Sequence, residues 1–155
     1  MPTCYMLIGL PGTGKSTWIG NLYEEEQAPV IISSDYFIER FAHLCNITYN
    51  EAFPIVMARG IPDKFINKRL NKAITENRDV LWDQTNLTVK SRKSKMSKLP
   101  GYTFEALVFE KPAQDVWEKN LNRPGKVIPK NILNRMEQSY QPPIVTGKQI
   151  GRAHV

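Results

Sequence analysis

Short, unbroken apolar runs alternate along this chain with longer stretches in which apolar side chains recur every three or four positions. The unbroken runs read as buried strands and the periodic stretches as helices with one wet face. Cys4 to Ile8, Pro29 to Ser33, Val80 to Trp82 and Tyr102 to Phe109 are the strands so predicted. The first helix runs from Ser16 to about Tyr23, and the second from Tyr36 to about Leu44 with Phe37, Ile38, Phe41 and Leu44 on one face. Thr48-x-x-Glu51 has the form of a capping box opening a helix toward Arg59, with Pro54 straining its first turn. Pro62 starts another, whose inward stripe is Phe65, Ile66, Leu70 and Ile74. Thr88 caps a lysine-rich helix from Val89 to about Lys98, with Val89 and Met96 inward. Pro112 opens a helix to about Lys119, and a last one from about Lys130 to Tyr140 buries Ile132, Leu133, Met136 and Tyr140. Pro142 and Pro143 close it, leaving residues 144–155 as a flexible tail. Strands alternating with helices predict an α/β three-layer sandwich around a mostly parallel sheet.

The 155 residues fit one domain, residues 1–155, with a substantial core. Charge is unevenly placed. Residues 1–83 carry 8 basic and 10 acidic side chains, whereas residues 84–155 carry 13 basic and 5 acidic ones, within a net charge of +6. A positive region of surface follows, suited to nucleotides or nucleic acid, although lysine excess also serves solubility alone. Cys4 and Cys45 have no metal-type spacing and read as reduced thiols. The N-terminal apolar run is too short for a signal peptide and no stretch approaches a membrane span, so a cytoplasmic protein without membrane partners is expected.

One motif changes the picture from fold to chemistry. Gly9-x-x-x-x-Gly14-Lys15-Ser16 lies between a predicted strand and a predicted helix, the setting in which a glycine-rich turn cradles phosphate. Glycines at 9, 12 and 14 let successive N–H groups point at an anion. Lys15 then reaches the β and γ phosphates, and the Ser16 hydroxyl meets Mg²⁺. Two acids close predicted strands beside this loop. Asp35 reads as a base on an attacking hydroxyl or as a helix cap, and Asp83 as a carboxylate steadying metal-bound water or as part of an Asx-type turn. Gln84, Thr85 and Asn86 follow, available to substrate. The break Arg123-Pro124-Gly125-Lys126 falls between helices, where a movable basic lid over about residues 120–128 would offset charge on a transferring phosphoryl group. Arg135, on the last helix, is placed to join from below. The helix bearing Lys90, Arg92, Lys93, Lys95 and Lys98 is either a nucleic-acid track or an ordinary wet face.

The motifs "GLPGTGKSTW", "ISSDY", "LWDQTNLT" and "NRPGKVIP", in this order, resemble the kinase domain of the phage-type 5′ polynucleotide kinase–3′ phosphatase, within the wider group of zeta-toxin-like and antibiotic phosphotransferases. The resemblance covers roughly Tyr5 to Pro143. It implies a P-loop NTPase sandwich with a basic lid, ATP and Mg²⁺ as cofactors, and a tunnel for a single-stranded 5′-hydroxyl end. By the same resemblance Asp35 is the general base; Gly12, Thr13, Gly14, Lys15, Ser16 and Thr17 form the donor-phosphate site; Thr85 lies near the acceptor; and Arg123 with Lys126 clamps the phosphates. The family arginine that holds the acceptor's 3′ phosphate falls at Ile38 here, with Arg40 as the nearest substitute. The length leaves no room for a phosphatase domain, so phosphorylation alone is expected.

The leading expectation is therefore an ATP-dependent polynucleotide 5′-hydroxyl kinase acting on RNA or DNA. A kinase of a nucleoside, sugar or antibiotic hydroxyl is the alternative on the same scaffold, and a non-catalytic, nucleotide-gated nucleic-acid-binding module is the third reading.

Overall fold

The computed structural model of the protein describes residues 1–20, 28–143 and 150–154, with the side chains of Ser16 and Thr17 and those of 150–154 outside the description. Strand β1 (Thr3–Ile8) lies between β3 (Val80–Asp83) and β4 (Thr103–Val108), with β2 (Val30–Ile32) and β5 (Ile150–His154) at the edges, so the sheet order is β2-β3-β1-β4-β5. Every pairing is parallel, with Tyr5 opposite Leu81 on one side and Glu105 on the other. Parallel neighbours need helical crossovers, and those helices cover both faces of the sheet.

Alternate residues of β1 divide the core. Cys4 and Met6 pack with Trp82, Phe104 and the stripe of α4 (Ile61–Thr75), while Leu7 packs with Leu81, Leu107 and Ile19 of α1 (Lys15–Gly20). The three-layer α/β sandwich is thus formed as the alternation predicts. The part of the first helix expected to reach Tyr23 lies outside the described residues. On α4 the stripe is Ile66, Leu70 and Ala73; Ile74, expected inside, is 40% exposed because its position is rotated past the sheet. Likewise α2 (Asp35–Cys45) buries Ile38 and Ala42, and Leu44 faces solvent.

The capping box of α3 (Tyr49–Ala58) forms in both directions: Thr48 N donates to Glu51 Oε2 at 2.7 Å, and Glu51 N donates to Thr48 Oγ1 at 3.2 Å. Pro54 lies inside this helix. Helices α2 and α3 share a small core of their own, Ile38, Ala42, Ala52 and Val56, apart from the sheet. The remaining helices are α5 (Val89–Met96), α6 (Ala113–Leu121) and α7 (Lys130–Ser139).

The flexible tail expected over 144–155 is corrected in part. Residues 150–154 form β5 (Ile150–His154), which pairs in parallel with β4 from Phe104 to Val108. The outer edge of β4 presents a row of backbone donors and acceptors, and pairing satisfies them without any apolar pattern in the added strand. Residues 144–149 and 155 lie outside the description.

Candidate active site

After β1 the chain turns over the carboxyl ends of the strands, the place where open α/β sheets form their crevice. Gly12 and Gly14 have φ of 83° and 99°, in the left-handed region. At Gly9 the constraint is space: an added Cβ would lie 2.8 Å from the Phe109 carbonyl oxygen and 2.9 Å from Thr13 Oγ1. The turn is tied down by Gly9 N donating to Thr85 O at 3.1 Å and Thr13 Oγ1 donating to Leu10 O at 2.8 Å. The Thr13 hydroxyl therefore serves the loop. Lys15, 8% exposed, donates from Nζ to Gly9 O at 2.7 Å. Burial lowers its pKa to about 8, against the pull of Asp83 and Asp35 and with Arg123 adding to the fall. Ser16 and Thr17 occupy the first turn of α1, and their side chains lie outside the described residues.

A cleft of about 990 Å³ opens in front of this turn. Gly12, Gly14 and Lys15 form its floor, Asp35, Asp83 and Thr85 one side, and Arg123 and Lys126 its roof. Asp35 is the first residue of α2, while the N-cap is Ser34, whose side chain makes no capping bond. The carboxylate instead looks across the cleft: Tyr49 OH donates to Asp35 Oδ1 at 2.6 Å, and Lys126 Nζ stands 3.7 Å from Oδ2. Burial raises the pKa of Asp83, an effect that Lys15 opposes and Asp35 reinforces.

The roof is a braced loop. Asn120 Nδ2 donates to Ile128 O at 2.6 Å, and Ile128 N returns a bond to Asn120 Oδ1 at 2.9 Å. Gly125 turns with φ of 67° against the start of α3, where Asn50 N donates to Gly125 O at 2.9 Å. Lys126 pairs with Glu39 at 2.5 Å and sits 4.5 Å from the Tyr49 ring centroid. Arg123 Nη1 is buried and has no hydrogen-bond partner among the described residues. A buried guanidinium donor facing a cleft is costly unless an anion meets it.

Three residues expected at the substrate are placed elsewhere. Asn86 is 1% exposed with φ of 49°, which turns its amide back into the sheet, where Nδ2 donates to Leu7 O at 2.8 Å and Trp82 O at 3.2 Å. It ties β1 to β3. Arg40 is exposed, its Nη1 reaching, among the described residues, the Tyr36 hydroxyl at 3.4 Å. Arg135 is exposed on the far side of α7, whose Ile132 and Met136 are the residues that line the cleft.

Two residues beyond the expected set are brought in. Tyr49 comes from the capped start of α3. Lys95 reaches the cleft from α5, bonds Asn86 Oδ1 and lies 5.7 Å from the Trp82 ring centroid. Burial, with Lys98, Lys15 and Arg92 adding repulsion, lowers its pKa to about 8. The basic helix is thus neither simply a wet face nor an exposed track: Arg92, 3% exposed, donates to Asn86 O and Gln141 O, each at 2.7 Å. With Lys15, Lys95, Arg123 and Lys126 against Asp35 and Asp83, the cleft favours an anion.

The chain is similar in fold to several solved structures. A protein provisionally described as a kinase, from Chloroflexus aurantiacus j-10-fl, gives a TM-score of 0.67 at 17% identity, covering 99% of this chain and 88% of that one. A sugar kinase from Janibacter sp. HTCC2649 gives 0.63 at 15% identity, covering 99% of this chain and 86% of that one. A chain of a Pnkp1/Rnl/Hen1 complex gives 0.57 at 20% identity, covering 76% of this chain and 38% of that one. No curated protein matches in sequence. The family model described as an AAA domain matches residues 5–143.

Proposed function

The chain belongs to the AAA domain family, and on that footing we propose that it is an ATP-dependent kinase of 5′-hydroxyl polynucleotide ends, RNA or DNA. The observation that carries this reading is the Asp35 carboxylate, oriented by Tyr49, in one cleft with Lys15 and with the Nη1 of Arg123, which has no partner among the described residues. A base and a set of phosphate-directed cations are what in-line phosphoryl transfer requires.

Asp35 accepts the proton of the incoming hydroxyl. The oxygen then forms its bond to the γ phosphorus as the bond to the β–γ bridging oxygen breaks, and ADP leaves. Backbone N–H groups of Gly12 to Lys15 hold the donor phosphates, and Lys15 and Arg123 offset the charge that grows on the equatorial and bridging oxygens. Lys126 closes the roof and keeps water out. Ser16 and Asp83 are the residues that would hold Mg²⁺ beside the donor phosphates. Mg²⁺ bound there supplies further charge neutralisation. Asp83, a carboxylate disfavoured by burial, would be relieved by such a cation, with Ser16 as the hydroxyl expected beside it.

A small-molecule hydroxyl kinase is the second reading. It is favoured by Ile38, which is 1% exposed in the α2–α3 core and presents no charge to an acceptor. Transfer of labelled γ phosphate to 5′-hydroxyl RNA, 5′-hydroxyl DNA, free nucleosides and a sugar separates the two. Labelling of either polynucleotide is expected; labelling of a nucleoside or sugar alone would replace the first reading with the second.

A further inference from the structure

Gln84 follows Asp83 at the end of β3 and lines the cleft together with Ser34, Asp35 and Thr85. Its side chain is engaged at both ends. Oε1 accepts from Trp82 Nε1 at 3.0 Å, and Nε2 donates to Ser34 Oγ at 3.2 Å. Trp82 is 1% exposed in the main core, and a buried indole N–H needs an acceptor, so it fixes which end of the amide turns toward Ser34. The register of the sheet explains the meeting. Ile32 of β2 lies opposite Trp82, and Ser34 and Gln84 each stand two residues further along, so their bond continues the pairing of β2 and β3 past the last backbone partners. Ser34 is the N-cap of α2, and its hydroxyl makes no capping bond. Its carbonyl oxygen accepts from Phe37 N at 3.2 Å and from Ile38 N at 3.3 Å, so the first turn of α2 hangs on this residue. The chain beside Gln84 is in turn tied to β1 and the glycine turn: Gly9 N donates to Thr85 O at 3.1 Å, and Asn86 Nδ2 donates to Leu7 O at 2.8 Å.

We propose that Gln84 is a positioning residue for Asp35: through Ser34 it fixes the start of α2, and with it the carboxylate that meets the acceptor hydroxyl, relative to the glycine turn that holds the donor. Helices α2 and α3 share a core separate from the sheet, so a side-chain link from β3 to the first turn of α2 bears directly on their alignment. In-line transfer needs donor and acceptor in register, and a displacement of about 1 Å is enough to slow it severely. Tyr49 aims the carboxylate, whereas Gln84 places the backbone from which it projects. This inference rests on the kinase reading and adds to it the residue that relates the acceptor side of the cleft to the donor side.

The test combines steady-state kinetics with amide hydrogen exchange on the full chain for Gln84→Leu, Ser34→Ala and the double variant. Each single variant is expected to lower kcat about fivefold with the KM for ATP unchanged, the effect of one lost hydrogen bond on alignment alone. The double variant should be no worse than either single one, because both substitutions act through one bond. Additive losses, a raised KM for ATP with kcat kept, or full kcat in Ser34→Ala would each overturn the inference. Ser34→Ala leaves Trp82 its partner, so it decides even if Gln84→Leu fails to fold. Exchange of the Phe37 and Ile38 amides should quicken about fivefold in Ser34→Ala, and unchanged exchange would overturn the link to α2. Because exchange needs no turnover, the two readings fail separately. Faster exchange in Ser34→Ala with no acceptor phosphorylated by the wild-type protein would remove the kinase reading, and transfer at full kcat in the variants would remove this one alone.

Discussion

Tyr49 donates its phenolic hydrogen to Asp35 Oδ1 at 2.6 Å, so the first residue of α3 sets the direction of the first residue of α2. Burial, and then the Asp35 charge, push the phenol's pKa upward, which keeps it a donor throughout any ordinary assay range. In Tyr49→Phe the carboxylate loses its orientation and not its chemistry. A fall of about tenfold in kcat with an unchanged KM for ATP is expected from steady-state kinetics. An unchanged kcat would show that the bond is structural.

Asp35→Asn removes the proposed proton acceptor from a cleft whose phosphate-directed groups are untouched. Nucleotide affinity should be retained while transfer falls by about 10²-fold or more. Parallel measurement of ATP binding and of product formation checks it, and full transfer in the variant would take Asp35 out of the mechanism.

Lys15 gives a pH signature. Its pKa is lowered to about 8, chiefly by burial, so part of the population is neutral in weakly alkaline solution. A bound triphosphate favours the charged form, and nucleotide binding at pH 8.5 should take up protons. Calorimetry in two buffers of different ionisation enthalpy measures that uptake, and zero uptake would mean that Lys15 does not meet the phosphates. The same shift acts on stability. The folded protein releases the Lys15 and Lys95 protons near pH 8, whereas the unfolded chain keeps them to about 10.5. The unfolded state thus binds more protons, and stability contributed by these groups rises from pH 7.5 to 9. Cys4, pushed up to about 12 by burial, opposes this only above its ordinary value of 9.0. Denaturant titrations at the two pH values test the sign.

Gly125 locks the roof to the capping box. A Cβ at Gly125 would fall 2.8 Å from Thr48 Cβ, on a residue already at φ of 67°. Gly125→Ala should therefore lift the loop from α3 and carry Arg123 and Lys126 away from the cleft. The KM for ATP is expected to rise about tenfold, with a stability loss on the order of 1 kcal/mol. Kinetics and thermal unfolding together distinguish a displaced roof from an unfolded domain.

On α5, Arg92→Ala should cost about 2–4 kcal/mol, whereas Lys93→Ala on the wet face should change stability by less than about 0.5 kcal/mol. Arg92 fills three backbone carbonyls, those of Asn86, Gln141 and Pro142, that would otherwise lose their partner. Equal effects in thermal unfolding would contradict the burial argument.

That helix shows where reading from sequence reaches and where it stops. The strands and the glycine turn are legible because unbroken apolar runs and a strand–turn–helix spacing each have one physical meaning. In Val89-Lys-Ser-Arg92-Lys-Ser-Lys95-Met96 polarity hides the buried position, although Arg92 shares the phase of Val89 and Met96, three and four residues away. That phase was the available signal. Asn86 misleads in the opposite sense: a polar residue after a strand-end acid looks free for substrate, and only its positive φ turns the amide inward. Tyr49 leaves no local trace, since its place at the cleft depends on how α3 settles against α2.

Since α2 and α3 pack on each other through Ile38, Ala42, Ala52 and Val56, separately from the sheet, Asp35 and Tyr49, the groups proposed to receive the incoming alcohol, belong to a small unit with its own interior. Such a unit is free to be re-tailored, or to rock, while the glycine turn keeps its grip undisturbed on the central strands. Diversification of what is phosphorylated, with no change in what donates the phosphate, is the evolutionary latitude this arrangement allows.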